Sequence, residues 1–265
     1  MSVNHAAEFV KRIPQTDDAF LGGRLSIAQP RDGFRAGTES VLLAAAVSPA
    51  SATLLDLGAG AGVAGLCALA NNPGLRATLV DNDPHAVAFA RHNAQANALA
   101  DRTEVIELDL TARGADRQAA GLYTDRYDTV ISNPPFFETR SGTLAPTPRR
   151  AAARHMNQQA IAAWIKTAAS CSNADAEIIF IHSAQALPAL LAGFAERFGG
   201  ISVLPIVSRP GEPATRVLVR GLKASRSPLQ LLAPFVMHGV EGNKFSPEAD
   251  AIFRGRSTLD WRRAS

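Results

Sequence analysis

The chain has 265 residues, which is enough for one large α/β domain or two small ones. Its hydrophobic fraction of 46% is ordinary for a globular protein and argues against a disordered or fibrous chain. The apolar runs, such as residues 41–47, are far shorter than the roughly 20 residues that cross a bilayer. Residues 1–20 lack the pattern of a signal peptide, so we expect a cytosolic protein without a membrane segment.

Positive charge is concentrated in the second half of the chain. Residues 1–133 hold 11 Lys/Arg and 15 Asp/Glu, whereas residues 134–265 hold 16 and 9, which gives net charges of −4 and +7. Only four of the 27 basic residues are lysines, and a guanidinium group matches phosphate geometry better than an ammonium group does. The imbalance favours a polyanionic partner for the second half, and an Arg-rich proteome is the alternative explanation.

The two cysteines, Cys67 and Cys171, stand in apolar stretches with helical character. Neither has another Cys or a His at metal-ligand spacing. They are therefore predicted to be core thiols, and the sequence predicts no metal site and no disulfide.

A polar loop and an apolar helix are predicted ahead of the first strand of the core. Thr38 or Ser40 is placed to cap this helix, which is expected to run to about Val47 and to stop before Pro49. This order is typical of an N-terminal lid, or simply of a helix that covers the sheet.

A buried strand at residues 53–57 runs into a glycine-rich turn and then into a helix over about 63–71. The turn region carries Asp56, Gly58, Gly60 and Gly62. Glycines allow the backbone to approach a ligand closely, and the first N–H groups of the helix face any phosphate or carboxylate there. The pattern therefore predicts a nucleotide-like ligand.

The next two strands also end in acids. Residues 77–80 are followed by Asp81 and Asn82, where a carboxylate can accept both hydroxyls of a ribose. Residues 103–108 are followed by Asp109, where a carboxylate can accept an adenine amine. Gly60 to Gly65 also satisfies the GxGxxG of dinucleotide enzymes, but three acids near the ends of successive strands favour a different nucleoside cofactor.

A short strand ending at Ser132 is followed by Asn133, Pro134, Pro135 and Phe136. Proline pushes the preceding residue towards extended geometry, so Asn133 is expected to point outward at the carboxyl end of the strand, where open α/β sheets bind ligands. The Asn133 side-chain carbonyl, the Pro134 main-chain carbonyl and the Phe136 ring suit a planar NH2 group on a base or an amide. An ordinary strand-ending turn is the alternative.

An arginine-rich segment, with Arg149, Arg150 and Arg154, follows this stretch. Arg150 and Arg154 would share one face of a helix, which suits either a phosphate contact or a solvated surface. The remaining predicted elements are a helix from Pro84 to about Leu99, a helix at 158–172, a strand at 177–181, a helix at 184–198, and strands at 201–207 and 215–222 that can form a hairpin.

Taken together, these motifs resemble the class I S-adenosylmethionine-dependent methyltransferases over about residues 20–222. The resemblance rests on Asp56-x-Gly58-x-Gly60-x-Gly62, Asp81, Asp109 and Asn133-Pro-Pro-Phe136, in that order. Within the class the chain is most similar to the bacterial tRNA (adenine-N6) methyltransferases that modify the adenosine 3′ of the anticodon of a valine tRNA. Members of that family often have Tyr where Phe136 stands, and stacking on a base needs no hydroxyl.

The resemblance implies an α/β, Rossmann-like fold: a mostly parallel seven-stranded sheet with helices on both faces and a C-terminal antiparallel hairpin. We expect a single methyltransferase domain over residues 1–265. Its parts are an N-terminal lid and helix (1–48), the Rossmann-like core (49–222) and a C-terminal extension without an assigned role (223–265).

The resemblance also implies roles for the motif residues. S-adenosylmethionine is expected to lie across Gly58, Gly60 and Gly62, with Asp81 at its ribose and Asp109 at its adenine. Asn133 and Pro134 are expected to hold the target amine, and Phe136 is expected to stack on a flipped base. The other residues expected at the cofactor are Thr38, Asp56, Asn82 and Asn133, and those expected to contact RNA, in particular tRNA, are Arg149, Arg150 and Arg154.

Several alternatives stay open at this point. Guanine-N2 methyltransferases of ribosomal RNA also carry Asn-Pro-Pro-Phe, and the glutamine methyltransferase of release factors carries Asn-Pro-Pro-aromatic. A module that only senses S-adenosylmethionine, or a dinucleotide dehydrogenase, would not need Asn133 and its two prolines.

Overall fold

The computed structural model describes residues 13–32, 35–135 and 148–262, with the side chains of residues 148–158 left out. The strands are β1 (Gln15–Phe20), β2 (Leu25–Pro30), β3 (Thr53–Leu57), β4 (Arg76–Asp81), β5 (Thr103–Glu107), β6 (Tyr127–Ser132), β7 (Ser172–Ser183), β8 (Gly199–Val207), β9 (Arg216–Leu222), β10 (Gln230–Leu231) and β11 (Phe235–Val236). The helices are α1 (Thr38–Ala45), α2 (Val63–Asn71), α3 (Pro84–Ala96), α4 (Gly114–Ala119), α5 (Pro148–Cys171), α6 (Leu187–Ala195) and α7 (Pro247–Phe253).

The main sheet has the order β10-β8-β9-β7-β6-β3-β4-β5, with β11 also paired to β8. Strands β3 to β7 run parallel, whereas β9 is antiparallel to both β7 and β8. The predicted seven-stranded sheet with its antiparallel hairpin is therefore confirmed, and β10 and β11 extend it. The chain runs outward from β3 to β5 and then crosses to β6, so a topological switch point lies between β3 and β6.

Local sequence explains why the core elements form where they do. The three leucines of β3, Leu54, Leu55 and Leu57, are fully buried, as expected for a parallel strand covered on both faces. At the start of α3 the Asp83 side chain accepts a hydrogen bond from the His85 N–H at 2.9 Å, and Pro84 occupies the first helical turn. The predicted starts of α2 and α3 are both confirmed.

Two hydrophobic layers enclose the sheet. Buried residues of α1, α2 and α7 pack on one face, and buried residues of α5 and α6 pack on the other. Cys67 and Cys171 are buried and unpaired, and burial raises the pKa of their thiols to about 12 and about 11. The prediction of core thiols is confirmed.

The antiparallel hairpin β1–β2 was not predicted from the sequence. It is held by Asn93 of α3 and by Asn97, the residue after this helix, which pair with its backbone as a neighbouring strand would. The Asn93 side chain accepts from the Ala28 N–H at 2.8 Å and donates to the Ala28 carbonyl at 3.0 Å, and Asn97 does the same at Ser26. Asn93 also donates to the Ala61 carbonyl at 2.9 Å, so the hairpin is tied to the glycine-rich turn.

The predicted side-chain cap of α1 is wrong. The residue that caps the helix is Gly37, and no side chain bonds to the free N–H groups there. The Thr38 hydroxyl donates instead to the Glu39 carboxylate at 3.4 Å. Because Thr38 and Ser40 already lie inside the helix, neither is positioned to cap it.

The C-terminal extension returns to the N-terminal part of the domain. After β10 and β11 have added to the sheet edge, α7 packs against α1, and the Trp261 Nε1 donates to the Ala46 carbonyl at 3.0 Å. The Arg220 guanidinium lies 4.7 Å from the centre of the Trp261 ring. In the part of the chain that the structure describes, none of the helices is both long and apolar enough to span a membrane.

Candidate functional site

A cleft of about 750 Å³ lies at the carboxyl ends of the strands around the switch point. Most of the residues predicted to bind a cofactor line it: Asp56, Gly58, Gly60, Asp81, Asn82, Asp109 and Asn133. The parallel sheet brings these residues together because each of them stands at or just after a strand end.

The glycine-rich turn is held in shape by Asp81. Gly58 and Gly60 have φ angles of +69° and +57°, which lie in the left-handed region that favours glycine. One Asp81 carboxylate oxygen accepts from the Gly60 N–H at 2.8 Å, and the other accepts from the Asp83 N–H at 3.0 Å. Asp81 therefore joins the turn after β3 to the loop after β4.

Asp56 forms part of the floor of the cleft and is 2% exposed. One of its oxygens accepts from the Gly65 N–H at 2.9 Å, which ties β3 to the first turn of α2. Burial raises the pKa of the Asp56 carboxyl from 3.8 to about 7; the Gly65 hydrogen bond lowers this pKa and the charge of Asp81 raises it. Near pH 7 this carboxyl is thus only partly ionised.

Asp109 is exposed, and its pKa is shifted in the opposite direction from that of Asp56. Its Oδ1 accepts from the Thr111 N–H at 2.8 Å and from the Thr111 hydroxyl at 2.7 Å. These two hydrogen bonds hold the pKa of Asp109 below its ordinary value. A fully ionised carboxylate therefore borders the cleft after β5.

Asn133 presents an open acceptor. Its Oδ1 is buried and has no hydrogen-bond partner among the described residues. The neighbouring Ser132 hydroxyl donates to the Leu57 carbonyl at 2.9 Å and so fixes the end of β6 to β3. Buried polar atoms are nearly always hydrogen-bonded, so an acceptor left open beside a cleft is suited to a ligand donor.

The structure does not bring every predicted residue into the cleft. Thr38, Gly62 and Pro134 do not line it; their neighbours Ser40, Ala61 and Pro135 do. Gly62 is the residue before α2, and a Cβ there would press on Leu79 at 3.0 Å, so its requirement for glycine comes from packing as well as from its φ of +85°. Phe136 lies outside the described residues, as do the side chains of Arg149, Arg150 and Arg154, whose backbone forms the first turns of α5.

Trp164 is a wall residue that the sequence did not single out. It reaches the cleft from α5, and a Cβ built on Gly58 would lie 2.7 Å from the Trp164 Cζ3 atom. The indole therefore covers Gly58, and glycine is required there for this contact as well as for its φ angle. A tryptophan in an apolar helix carries no sequence signal of such a role, because the contact depends on where α5 packs.

Gln29 is a second wall residue that was missed. It is 2% exposed, its Nε2 donates to Asp18 at 2.8 Å and to the Ala36 carbonyl at 3.2 Å, and its Oε1 accepts from the Ala36 N–H at 2.9 Å. Gln29 thus ties the hairpin to the segment that precedes α1.

The hydrogen-bonding groups of the cleft fit a ligand that contains a nucleoside. Asp81 and Asp109 supply carboxylates at separate strand ends, and the open turn at Gly60 has no atom within 4 Å of where a Cβ would stand. In the described parts of the chain no group of three or more His, Cys, Asp or Glu residues is arranged to hold a metal ion. The residues that line the cleft offer hydrogen bonds and close backbone approach.

A family model described as methyltransferase small domain matches residues 31–181. A tRNA1(Val) (adenine(37)-N6)-methyltransferase from Porphyromonas gingivalis is 34% identical over 143 residues, which cover 52% of this chain and 54% of that protein. A protein of the same name from Shewanella baltica is 30% identical over 202 residues, which cover 76% of this chain and 82% of that protein. The match to the P. gingivalis protein therefore spans only about half of its length.

Among solved structures, one from Agrobacterium tumefaciens, described as a predicted O-methyltransferase, superposes with a TM-score of 0.71 at 31% identity. The match covers 83% of this chain and 97% of that one. The likeness thus extends over nearly the whole of that protein, well beyond the motifs of the cleft.

Proposed function

Because the chain belongs to the methyltransferase small domain family, we propose that it is an S-adenosylmethionine-dependent N-methyltransferase acting on an exocyclic amine of a nucleobase, adenine N6 in a tRNA next to the anticodon. The observation that carries the proposal is the buried Asn133 Oδ1, which has no hydrogen-bond partner among the described residues. The name shared by the P. gingivalis and S. baltica relatives supports the choice of substrate.

Different residues of the cleft are placed to bind different parts of the cofactor. Asp81 is placed to accept ribose hydroxyls, Asp109 is placed to accept the adenine amine, and the turn at Gly58 and Gly60 lets the chain pass close to the rest of the molecule. When bound, S-adenosylmethionine supplies a methyl group on a positively charged sulfur, which makes that methyl electrophilic.

Asn133 and Pro134 act on the target amine. An amine attached to an aromatic base is a weak nucleophile because its lone pair is delocalised into the ring. Two acceptors, the Asn133 Oδ1 and the Pro134 carbonyl, hold its two hydrogens and turn the lone pair towards the methyl group. A methylated amine nitrogen would have one proton to lose, and this proton would pass to solvent because neither acceptor is a base.

A two-acceptor site also distinguishes the candidate substrates. A hydroxyl group has only one hydrogen to donate, so an O-methyltransferase would leave one of the two acceptors unused. The amines of guanine N2 and of a glutamine side chain have two hydrogens, and a release factor or ribosomal RNA therefore remains a chemical alternative. A sensor that only binds S-adenosylmethionine would show no turnover on any of them.

An RNA partner and a cytoplasmic location belong to the same proposal. Arg149, Arg150 and Arg154 follow the Asn-Pro-Pro stretch in the sequence, and their backbone forms the first turns of α5. Three guanidinium groups so close together in the chain suit contact with a sugar-phosphate backbone. Replacing all three by Ala is expected to weaken RNA binding and to flatten its dependence on salt. Unchanged binding would exclude this patch.

The experiment that tests the function is incubation of the purified protein with labelled S-adenosylmethionine and total tRNA, followed by mass spectrometry of the nucleosides. N6-methyladenosine is the expected product. N2-methylguanosine would move the assignment to guanine, and methylglutamine on an added release factor would contradict the nucleic-acid substrate. Reactions with added ribosomal RNA and with Asn133→Ala serve as controls.

A further inference from the structure

Asn133 divides the carboxyl edge of the sheet into two sides. The described residues of the cleft that stand at strand ends come from β3, β4, β5 and β6, and none of them comes from β7 or β9. If the cofactor occupies this cleft, a substrate held at Asn133 has the β7–β9 side of the edge left to it. Residues of β7 and β9 that lie at the carboxyl edge of the sheet are therefore candidates for contact with the substrate.

Arg216 is the first residue of β9 and pairs with Ser183, the last residue of β7. It lies two strands from β6, which corresponds to about 10 Å at the usual strand spacing. Its side chain is 33% exposed, so the guanidinium is supported by the protein and still reaches solvent. A guanidinium two strands away from the strand that ends before Asn133 suits a phosphate that flanks a nucleotide held there.

The Arg216 guanidinium is oriented by groups on two elements. Its Nε lies 3.3 Å from the Glu39 Oε1 on the first turn of α1, and its Nη1 donates to the Thr215 carbonyl at 3.2 Å. The neighbouring His182 is 2% exposed, and burial together with the charge of Arg216 lowers its pKa to about 4. His182 is therefore neutral near pH 7, and Glu39 is a charged group that pairs with Arg216.

Other basic residues of the second half are engaged inside the fold. Arg209 donates to the carbonyls of Gly239 and Gly242 at 3.0 and 2.7 Å. Arg220 is half-buried beside Glu177 at 3.5 Å. Part of the positive charge counted in the sequence thus holds the fold together. Arg216 is also paired, and its strand begins at the edge that carries Asn133.

We propose that Arg216, held by Glu39, contacts a phosphate of the RNA strand that adjoins the target nucleotide. A planar guanidinium that is already oriented loses little freedom when it binds a phosphate, which favours arginine at such a position. The inference rests on the proposed RNA substrate, and it adds a contact outside both the cleft and the arginines of α5.

The test is the salt dependence of RNA binding, measured with tRNA for the full chain. Each phosphate contact contributes about 0.7 to 0.9 to the slope of log affinity against log salt. Arg216→Ala is expected to reduce the slope by about that amount while affinity for S-adenosylmethionine, measured by calorimetry, is unchanged. Arg216→Lys, which keeps the charge, is expected to restore most of the slope.

Arg197 provides a matched control. Its ion pair with Glu196 has the same 3.3 Å separation, and its side chain has nearly the same exposure, 32%. Arg197 precedes β8 and therefore lies at the opposite edge of the sheet, since β8 runs parallel to β7. Arg197→Ala is expected to leave the slope as in the wild type.

Glu39→Gln tests the positioning role of Glu39. It is expected to raise KM for tRNA a few-fold with little change in kcat, while the salt slope stays near that of the wild type because Arg216 keeps its charge. A loss of slope equal to that of Arg216→Ala would contradict the assignment of Arg216 alone as the phosphate contact.

Three outcomes overturn the proposal. An Arg216→Ala variant with the wild-type slope would assign Arg216 to the structure only, as would an equal loss of cofactor and RNA affinity in that variant. A wild type without any RNA affinity would refute both the phosphate contact and the proposed function. A wild type that methylates nothing, together with a slope that is reduced in Arg216→Ala and not in Arg197→Ala, would support the phosphate contact and refute the proposed function.

Discussion

The two sides of the carboxyl edge differ in how their polar groups are used. On the cofactor side each acid is already bonded to backbone N–H groups: Asp56 to Gly65, Asp81 to Gly60 and Asp83, and Asp109 to Thr111. At Asn133 the acceptor has no described partner, and beyond it the Glu39–Arg216 pair is half-exposed.

This difference indicates which contacts are prepared before ligands arrive. A preformed network keeps the turn in the shape that a nucleoside needs, so little ordering remains to be done on binding. An acceptor left open at Asn133 is instead available for a group that enters with the substrate, where charge develops in the reaction.

The pKa of Asp56 tests whether the carboxyl on the cofactor side is shielded from water. Its pKa of about 7 in the folded protein lies above the ordinary 3.8, so the folded state keeps a proton that the unfolded state loses. The free energy of unfolding should therefore fall as pH rises from about 4 to about 7, by about 4 kcal/mol from this group. Urea unfolding at several pH values is expected to show this fall in the wild type and to lack it in Asp56→Asn. Identical pH curves for the two proteins would mean that the carboxyl is solvated.

Asn133 tests the open side. Asn133→Ala removes the acceptor for the target amine, and the loss of one transition-state contact of this kind costs about 2–4 kcal/mol, or roughly 30- to 1000-fold in kcat. Affinity for S-adenosylmethionine should stay within a few-fold, because the turn and Asp81 remain intact. Single-turnover kinetics and calorimetry measure the two quantities, and undiminished turnover would refute the mechanism for any substrate.

Gly58 tests the contact between the glycine-rich turn and Trp164. In Gly58→Ala the left-handed backbone costs about 1–2 kcal/mol, and the new Cβ would also meet Trp164. Gly60→Ala is the matched control, since it has a similar φ of +57° and no neighbour within 4 Å of the Cβ position. We expect a clearly larger loss of thermal stability in Gly58→Ala, measured without cofactor. Equal losses would show that the contact with Trp164 contributes nothing.

Trp164 gives the smallest effect and a direct signal. The chain has two tryptophans, Trp164 at the cleft and Trp261 packed against Ala46. Trp164→Phe is expected to weaken S-adenosylmethionine binding only a few-fold and to abolish the change in tryptophan fluorescence on titration with this cofactor. Trp261→Phe is expected to keep that change. A fluorescence response that follows Trp261 would place the cofactor elsewhere.

Sequence alone determined the parts of this protein whose causes are local. The bounds of α2, the start of α3 at Pro84 and the placement of Asn133 after β6 follow from glycine, proline and strand patterns within a few residues. The predicted resemblance to class I methyltransferases is confirmed by the family match, because the order of these local motifs along the chain is what such a family shares.

The contacts between distant segments depend on tertiary packing and could not be predicted from the sequence. The hairpin β1–β2 depends on Asn93 of α3, Trp164 covers Gly58 from another layer, and Glu39 of α1 pairs with Arg216 of β9. Thr38, predicted at the cofactor, lies off the cleft because the packing of α1 turns Ser40 to it instead. Such pairings are set by how helices pack on the sheet, and a local pattern of residues contains no information about the partner that packing will supply.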